Sequence, residues 1–269
     1  MKIILSCLIA SLLPGLAQAK EPRAFSSSTQ MIVVTTDSWD SPQGTLRRYE
    51  RKQPGNPWQA VDEPITVMVG KTGLGWGTGV LKPSPREASD PVKKEGDGKA
   101  PAGVFHLSKA FGYSPQEQPG WKMPYISLTP SIECVDDEKS KFYNTLVDTT
   151  TISPDWGSHE NEKMRRSDDL YHWGILVDHN ANPPVAGGGS CIFMHIWRGP
   201  AQPTVGCTAM PQADMETLLG WLDPARKPLL VQLPADQYQK IRHRWNLPAV
   251  ENPAGSTTMQ GGPKSVGKN

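Results

Sequence analysis

What the 269-residue sequence has least of is a long apolar run. The stretch over residues 3–13 falls well short of the roughly 20 apolar residues that a membrane-crossing helix needs, and nothing after it approaches that length. No membrane-spanning segment is therefore expected. Charge of one sign is missing too, with 28 Lys and Arg against 27 Asp and Glu, so there is no electrostatic case for nucleic acid as the main partner. Cysteine is scarce, four in all, with no Cys-x-x-Cys unit to promote redox chemistry. His172, His179, Cys191, His195 and Cys207 lack the compact paired spacing of a structural zinc site, which makes metal the weaker reading; no metal and no cofactor is expected. The glycines at 70, 73, 75, 77 and 79 do not form a phosphate-binding Gly-x-x-x-x-Gly-Lys-Ser/Thr loop. They fit close backbone approach or a bulged hairpin better.

Proline and glycine are plentiful, 26 and 25 residues, which predicts many turns and long loops. Nine tryptophans and recurring apolar stretches nevertheless describe a chain that buries a core. Lys2, the apolar run and Ala17-Gln18-Ala19 have the three parts of a secretory signal over residues 1–19, so an exported protein of the periplasm or cell envelope is expected. The rest reads as a single domain over residues 20–250 with an N-terminal extension, followed by a flexible Gly-, Ser- and Thr-rich tail over 251–269. Residues 136–169 read as a surface insertion, with too few apolar side chains for a core of their own.

Period-two and apolar runs predict strands over residues 31–36, 46–49, 65–69, 100–107, 126–128, 131–135, 171–177, 191–197 and 229–233. Met215, Leu218, Leu219 and Leu222, spaced three and four apart, predict a helix over 214–222; residues 236–245 predict another, and 159–166 a short one. The expected fold is mainly β.

Cys7 leaves with the signal, and Cys134, Cys191 and Cys207 remain, an odd number for an oxidising compartment. Cys134 and Cys191 can pair. Cys207 follows Gly206 in a loop just ahead of a predicted helix, a place that exposes its sulfur and lets peptide N–H groups stabilise a thiolate and an oxyanion. His195, twelve residues earlier on a strand, is placed to act as its base; a hydrogen-bonded structural histidine is the plainer alternative. A third group must orient the imidazole, and a backbone carbonyl near Ile196 serves as well as an acid. Tyr125, Trp173 and Trp197 either line a cleft for a peptide or sugar or pack as core and rim. Arg198 either pairs with a substrate carboxylate or solubilises the surface.

Four pieces in order, Ala100-Pro101-Ala102-Gly103-Val104-Phe105, Met123-Pro124-Tyr125, His195 and Thr204-Val205-Gly206-Cys207, resemble the L,D-transpeptidase catalytic family, also called YkuD-like. The resemblance spans about residues 60–235 and is that of a divergent member. It implies a YkuD-like β-sandwich or sheet domain with short helices and a loop-rich insertion. It also implies cysteine attack on a carbonyl of a peptidoglycan stem peptide, giving a thioester acyl-enzyme that an amine acceptor turns into a crosslink or water hydrolyses. By that resemblance Cys207 is the nucleophile, His195 the base, Gly206 and Cys207 the oxyanion-side backbone and Thr204 a local organiser. The departures are Ile196 where the family often has glycine, Val205 where it often has histidine, and Ala209 where it commonly has arginine. They leave open a hydrolase of peptidoglycan crosslinks or peptidoglycan–protein linkages, and an inactive envelope-binding module.

Overall fold

Two apolar segments far apart in sequence set the architecture. Strand β1 (Gln30–Thr36) and a late strand over Leu229–Pro234 are buried at every position, as strands covered on both faces must be. In the computed structural model, which describes residues 22–81, 87–157 and 163–250, these two strands run parallel, Met31 beside Leu229. The expected signal segment and tail lie outside the described residues, as do residues 159–162 of the short helix predicted over 159–166; residues 163–166 are not helical.

The strands that follow are β2 (Gln43–Glu50), β3 (Gln59–Met68), β4 (Leu74–Trp76), β5 (Ala100–Gly112) and β6 (Tyr125–Ser127). After them come β7 (Ile132–Cys134), β8 (Leu146–Asp148), β9 (Trp173–Val177), β10 (Phe193–Ile196) and β11 (Thr208–Met210). Helix α1 (Gln212–Trp221), strand β12 (Leu229–Pro234) and helix α2 (Ala235–Trp245) complete the order. The fold is mainly β, and its main sheet closes on itself: β12-β1-β2-β3-β11-β10-β9-β5, with β5 returning to β12 through the pairing of Leu229 with His106. Strands β4 and β6 attach to β5. Phe105, Val104, Ile32, Val231 and Met194 belong to the principal core, and Tyr238, Ile241 and Trp245 are the buried face of α2. Among the described residues no helix is long and apolar enough to cross a membrane.

Two features position the site. The first is the glycine run: a Cβ on Gly70 would lie 2.3 Å from the Gly98 carbonyl oxygen, so close backbone approach is required there. Gly70 in turn bridges to Thr204. The second is the long excursion between β6 and β9, which carries the β7–β8 hairpin and is bonded to the barrel through a disulfide between Cys134 and Cys191. It shares a smaller apolar cluster with the barrel, in which Leu128 and Met164 of the excursion meet Phe111, Phe193 and Cys207. The excursion thus has a partial core, borrowed from the sheet it covers.

Candidate functional site

Cys207 stands at the head of a strand, not of a helix as the sequence suggests. It immediately precedes β11, which pairs in parallel with β10 so that Ala209 lies beside His195; α1 begins only after Pro211. Two-residue alternation along β11 puts Cys207 and Ala209 on the face that carries His195. Residues 191 and 192 are not part of the strand, which starts at Phe193, and Cys191 has a left-handed φ of 53°.

The turn before the cysteine is fixed from two sides. The Thr204 N–H donates to the Val69 carbonyl at 2.9 Å, and the Lys71 N–H donates to the Thr204 carbonyl at 2.8 Å. The Thr204 hydroxyl accepts from the Gly206 N–H at 3.1 Å and donates to the Cys207 carbonyl at 2.7 Å. That clasp gives Thr204 an organising position, but it also occupies the Gly206 N–H, which the sequence reading assigns to an oxyanion.

Among the described residues Cys207 is the free cysteine, and it is buried. Its sulfur accepts from the Phe193 N–H at 3.4 Å and lies 3.7 Å from the Cys191 carbonyl oxygen. Burial pushes the thiol up to about 11, against the opposing pull of the Phe193 N–H. His195 is buried as well, its Nδ1 2.7 Å from its neighbour's carbonyl, that of Ile196, and its ring set edge-on to Tyr171 at 5.2 Å. Desolvation lowers it to about 4, the Ile196 carbonyl acting the other way. With Nδ1 donating to that carbonyl, the tautomer leaves Nε2 without a proton.

A cavity of about 240 Å³ opens over this face, lined among others by Arg166, Tyr171, His195, Trp197, Arg198 and Cys207. A second, of about 280 Å³, lies on the other side of the thiol and includes Lys71, Lys93 and Asp136. Arg166, Tyr171, Val205 and Cys207 line both. The structure therefore brings together Cys207, His195, Thr204, Trp197 and Arg198. It does not bring Tyr125 or Trp173 to either cavity: Trp173 is a core residue with Tyr125 packed against it, and Trp173 also meets Trp121 edge-on at 4.8 Å. Sequence reasoning missed Arg166 and its partner Asp168, which lie in the segment read as a surface insertion. The one signal was the density of paired charges in Arg165-Arg166-Ser167-Asp168-Asp169.

Residues 42–231 match the L,D-transpeptidase catalytic domain family, YkuD, well over half of the chain. The chain belongs to the YkuD family. No curated protein and no solved structure matches it significantly. Membership in the YkuD family agrees with the sheet and with the placement of Cys207 beside β10, but the expected cysteine chemistry needs correction. Of the cysteines in the described residues, Cys134 and Cys191 are joined, and the remaining thiol is buried with a raised pKa. Such a thiol is ionised in roughly one molecule in ten thousand at neutral pH, whereas the thiolate is the attacking species. The imidazole that should take its proton is not among the sulfur's hydrogen-bond partners in the described residues. Nor does any group of three His, Cys, Asp or Glu side chains there form a metal site that could lower the thiol's pKa. The expectation of a cysteine nucleophile, and with it of a thioester-forming transpeptidase or peptidoglycan peptide hydrolase, is overturned by this arrangement. A YkuD domain whose free thiol is buried with a raised pKa, beside an imidazole whose pKa is lowered by burial, fits a non-catalytic envelope module better.

Proposed function

We propose that this YkuD domain is an exported, envelope-associated module that binds peptidoglycan stem peptides without forming a covalent bond to them. The observation that carries this reading is the pair of cavities meeting at a buried thiol whose hydrogen-bond partners among the described residues are backbone groups, not the imidazole. Each has the volume of a few side chains, at or just below the lower end of small-ligand sites. Val205, 76% exposed on the partition between them, offers an apolar contact to a chain laid across both. Family membership supports the substrate class, and the near balance of positive and negative charge favours recognition inside the cavity over long-range attraction.

The test is a titration of the protein with a defined stem tetrapeptide, followed by NMR or calorimetry, with intact-protein mass spectrometry on the same samples. Saturable binding with no mass increase is expected. A peptide adduct on Cys207 would restore the nucleophile and end the non-catalytic reading. Alkylation provides a second readout, since its rate against pH should rise towards an apparent pKa near 11. The linkage has a definite sign. Below the thiol's ordinary value of 9.0 both the folded and the unfolded chain hold the proton. Between 9 and 11 the unfolded chain ionises first, so the thiol's contribution to stability is lost as pH rises through that window.

A further inference from the structure

The first cavity has an unbalanced charge. Arg166 and Arg198 line it, and no Asp or Glu does. The acid that serves both arginines sits behind them: Asp168 accepts from Arg166 through Nε at 2.9 Å and Nη2 at 2.8 Å, and from Arg198 through Nη2 at 2.8 Å. Each guanidinium carries five N–H donors. Asp168 occupies three of the ten, and its single negative charge leaves the pair with a net positive one. Both arginines hold the carboxyl of Asp168 well below the usual carboxylate range, Arg166 more than Arg198, so it stays ionised and continues to hold them.

Arg166 is also the better fixed of the two. Its backbone N–H donates to the Tyr113 hydroxyl at 3.1 Å, and its guanidinium lies 5.3 Å from the centre of the Tyr171 ring. The side chain of Arg198 is 59% exposed against 23% for Arg166. One is thus a half-buried fork and the other an exposed one, joined at a common carboxylate. A planar fork with free N–H groups matches a carboxylate in two-point geometry. Tyr171, His195 and Trp197 line the same cavity, and their low-polarity surfaces beside the arginines strengthen such a pairing relative to open water.

We infer that the first cavity is a carboxylate subsite, in which Arg166 and Arg198, positioned by Asp168, take the free terminal carboxylate of a bound peptide. The inference rests on the proposed stem-peptide reading and adds the end by which the peptide is held. Asp168 is a positioning residue and touches no ligand.

The experiment compares the stem tetrapeptide as its free acid with the same peptide as its C-terminal amide, by calorimetry on the unaltered protein and on Arg166→Gln, Arg198→Gln and Asp168→Asn, with a thermal melt as a folding control. The unaltered protein should bind the acid about tenfold or more tighter than the amide. Arg166→Gln and Arg198→Gln should each bring that ratio close to one while leaving amide affinity nearly unchanged. Asp168→Asn should reduce the ratio without abolishing it, a change that a merely structural role would not produce. Because Arg198 is exposed, its variant keeps the test open if Arg166→Gln unfolds. Equal binding of acid and amide by the unaltered protein overturns the carboxylate subsite and leaves stem-peptide binding standing, as does a ratio that survives in Arg198→Gln. Failure to bind either peptide overturns both.

Discussion

The barrel and the excursion between β6 and β9 are held by different forces. The barrel is a closed ladder with a large apolar core, where stability follows buried area. The excursion has two strands of three residues each, and it is docked by a disulfide and by side chains that reach across to the barrel's connecting loops. Asn144 donates to the His179 and Asn180 carbonyls at 2.9 and 2.8 Å and accepts from the Cys191 N–H at 2.9 Å. Arg165 lies 4.7 Å from the Tyr113 ring centre. Yet the excursion and the residues leading out of it supply Met164, Arg166 and Tyr171, which surround Cys207 or line its cavities. The ladder thus places the cysteine and the histidine, and the more weakly cored region determines the electrostatic surroundings they meet.

That contrast can be broken most forcefully at the barrel. Phe105 is fully buried on β5, and Phe105→Ala should cost about 3–5 kcal/mol, lowering the denaturant midpoint of the entire domain. If the excursion were the more stable unit, its amide hydrogens would outlast those of β1 and β12 in exchange on this variant.

Next in size is the bond between the two regions. Replacing Cys134 and Cys191 by serine opens a loop with a sequence separation of 57, worth about 2–4 kcal/mol. Exchange protection should fall first over residues 131–150, with β1, β5 and β12 nearly unaffected. Alkylation of Cys207 should accelerate as its cover loosens. An unchanged alkylation rate would show that the barrel alone buries the thiol.

The smallest effect belongs to the turn at their meeting point. Thr204→Val keeps the shape and removes the hydroxyl that clasps the Gly206 N–H and the Cys207 carbonyl. A loss of about 1 kcal/mol is expected, with the chemical-shift changes confined to residues 203–209.

The same division explains what could be read from the sequence. Strands β1, β5 and β12 were legible because their burial is written as apolar runs, and α1 because Met215, Leu218 and Leu219 repeat at helical spacing. Strand β11 was not: three residues between a turn and Pro211 carry no periodicity, so the sequence alone sets the cysteine ahead of a helix. That Cys134 and Cys191 would leave Cys207 alone followed in part from an odd count. The protonation of Cys207 did not follow, because it depends on residues from another segment that bury the sulfur. Arg166 and Asp168 read as surface charge in the sequence, and only folding brings Arg166 to the cavity with Asp168 bonded behind it. For Tyr125 and Trp173 the sequence left two readings open, since an aromatic side chain reads alike whether it lines a cleft or fills a core.

The strand that closes the ring also sets a time order on the molecule. Strand β12 is the neighbour of both β1 and β5, and it lies about 200 positions after the first of them. During synthesis, every nascent chain that has made β5 but not β12 leaves both β1 and β5 with an open edge, and unpaired edges invite pairing with other chains. Contacts between such distant segments also form slowly. A chain released at residue 228 should therefore associate with its own kind, whereas one carried six residues further, through Pro234, can close.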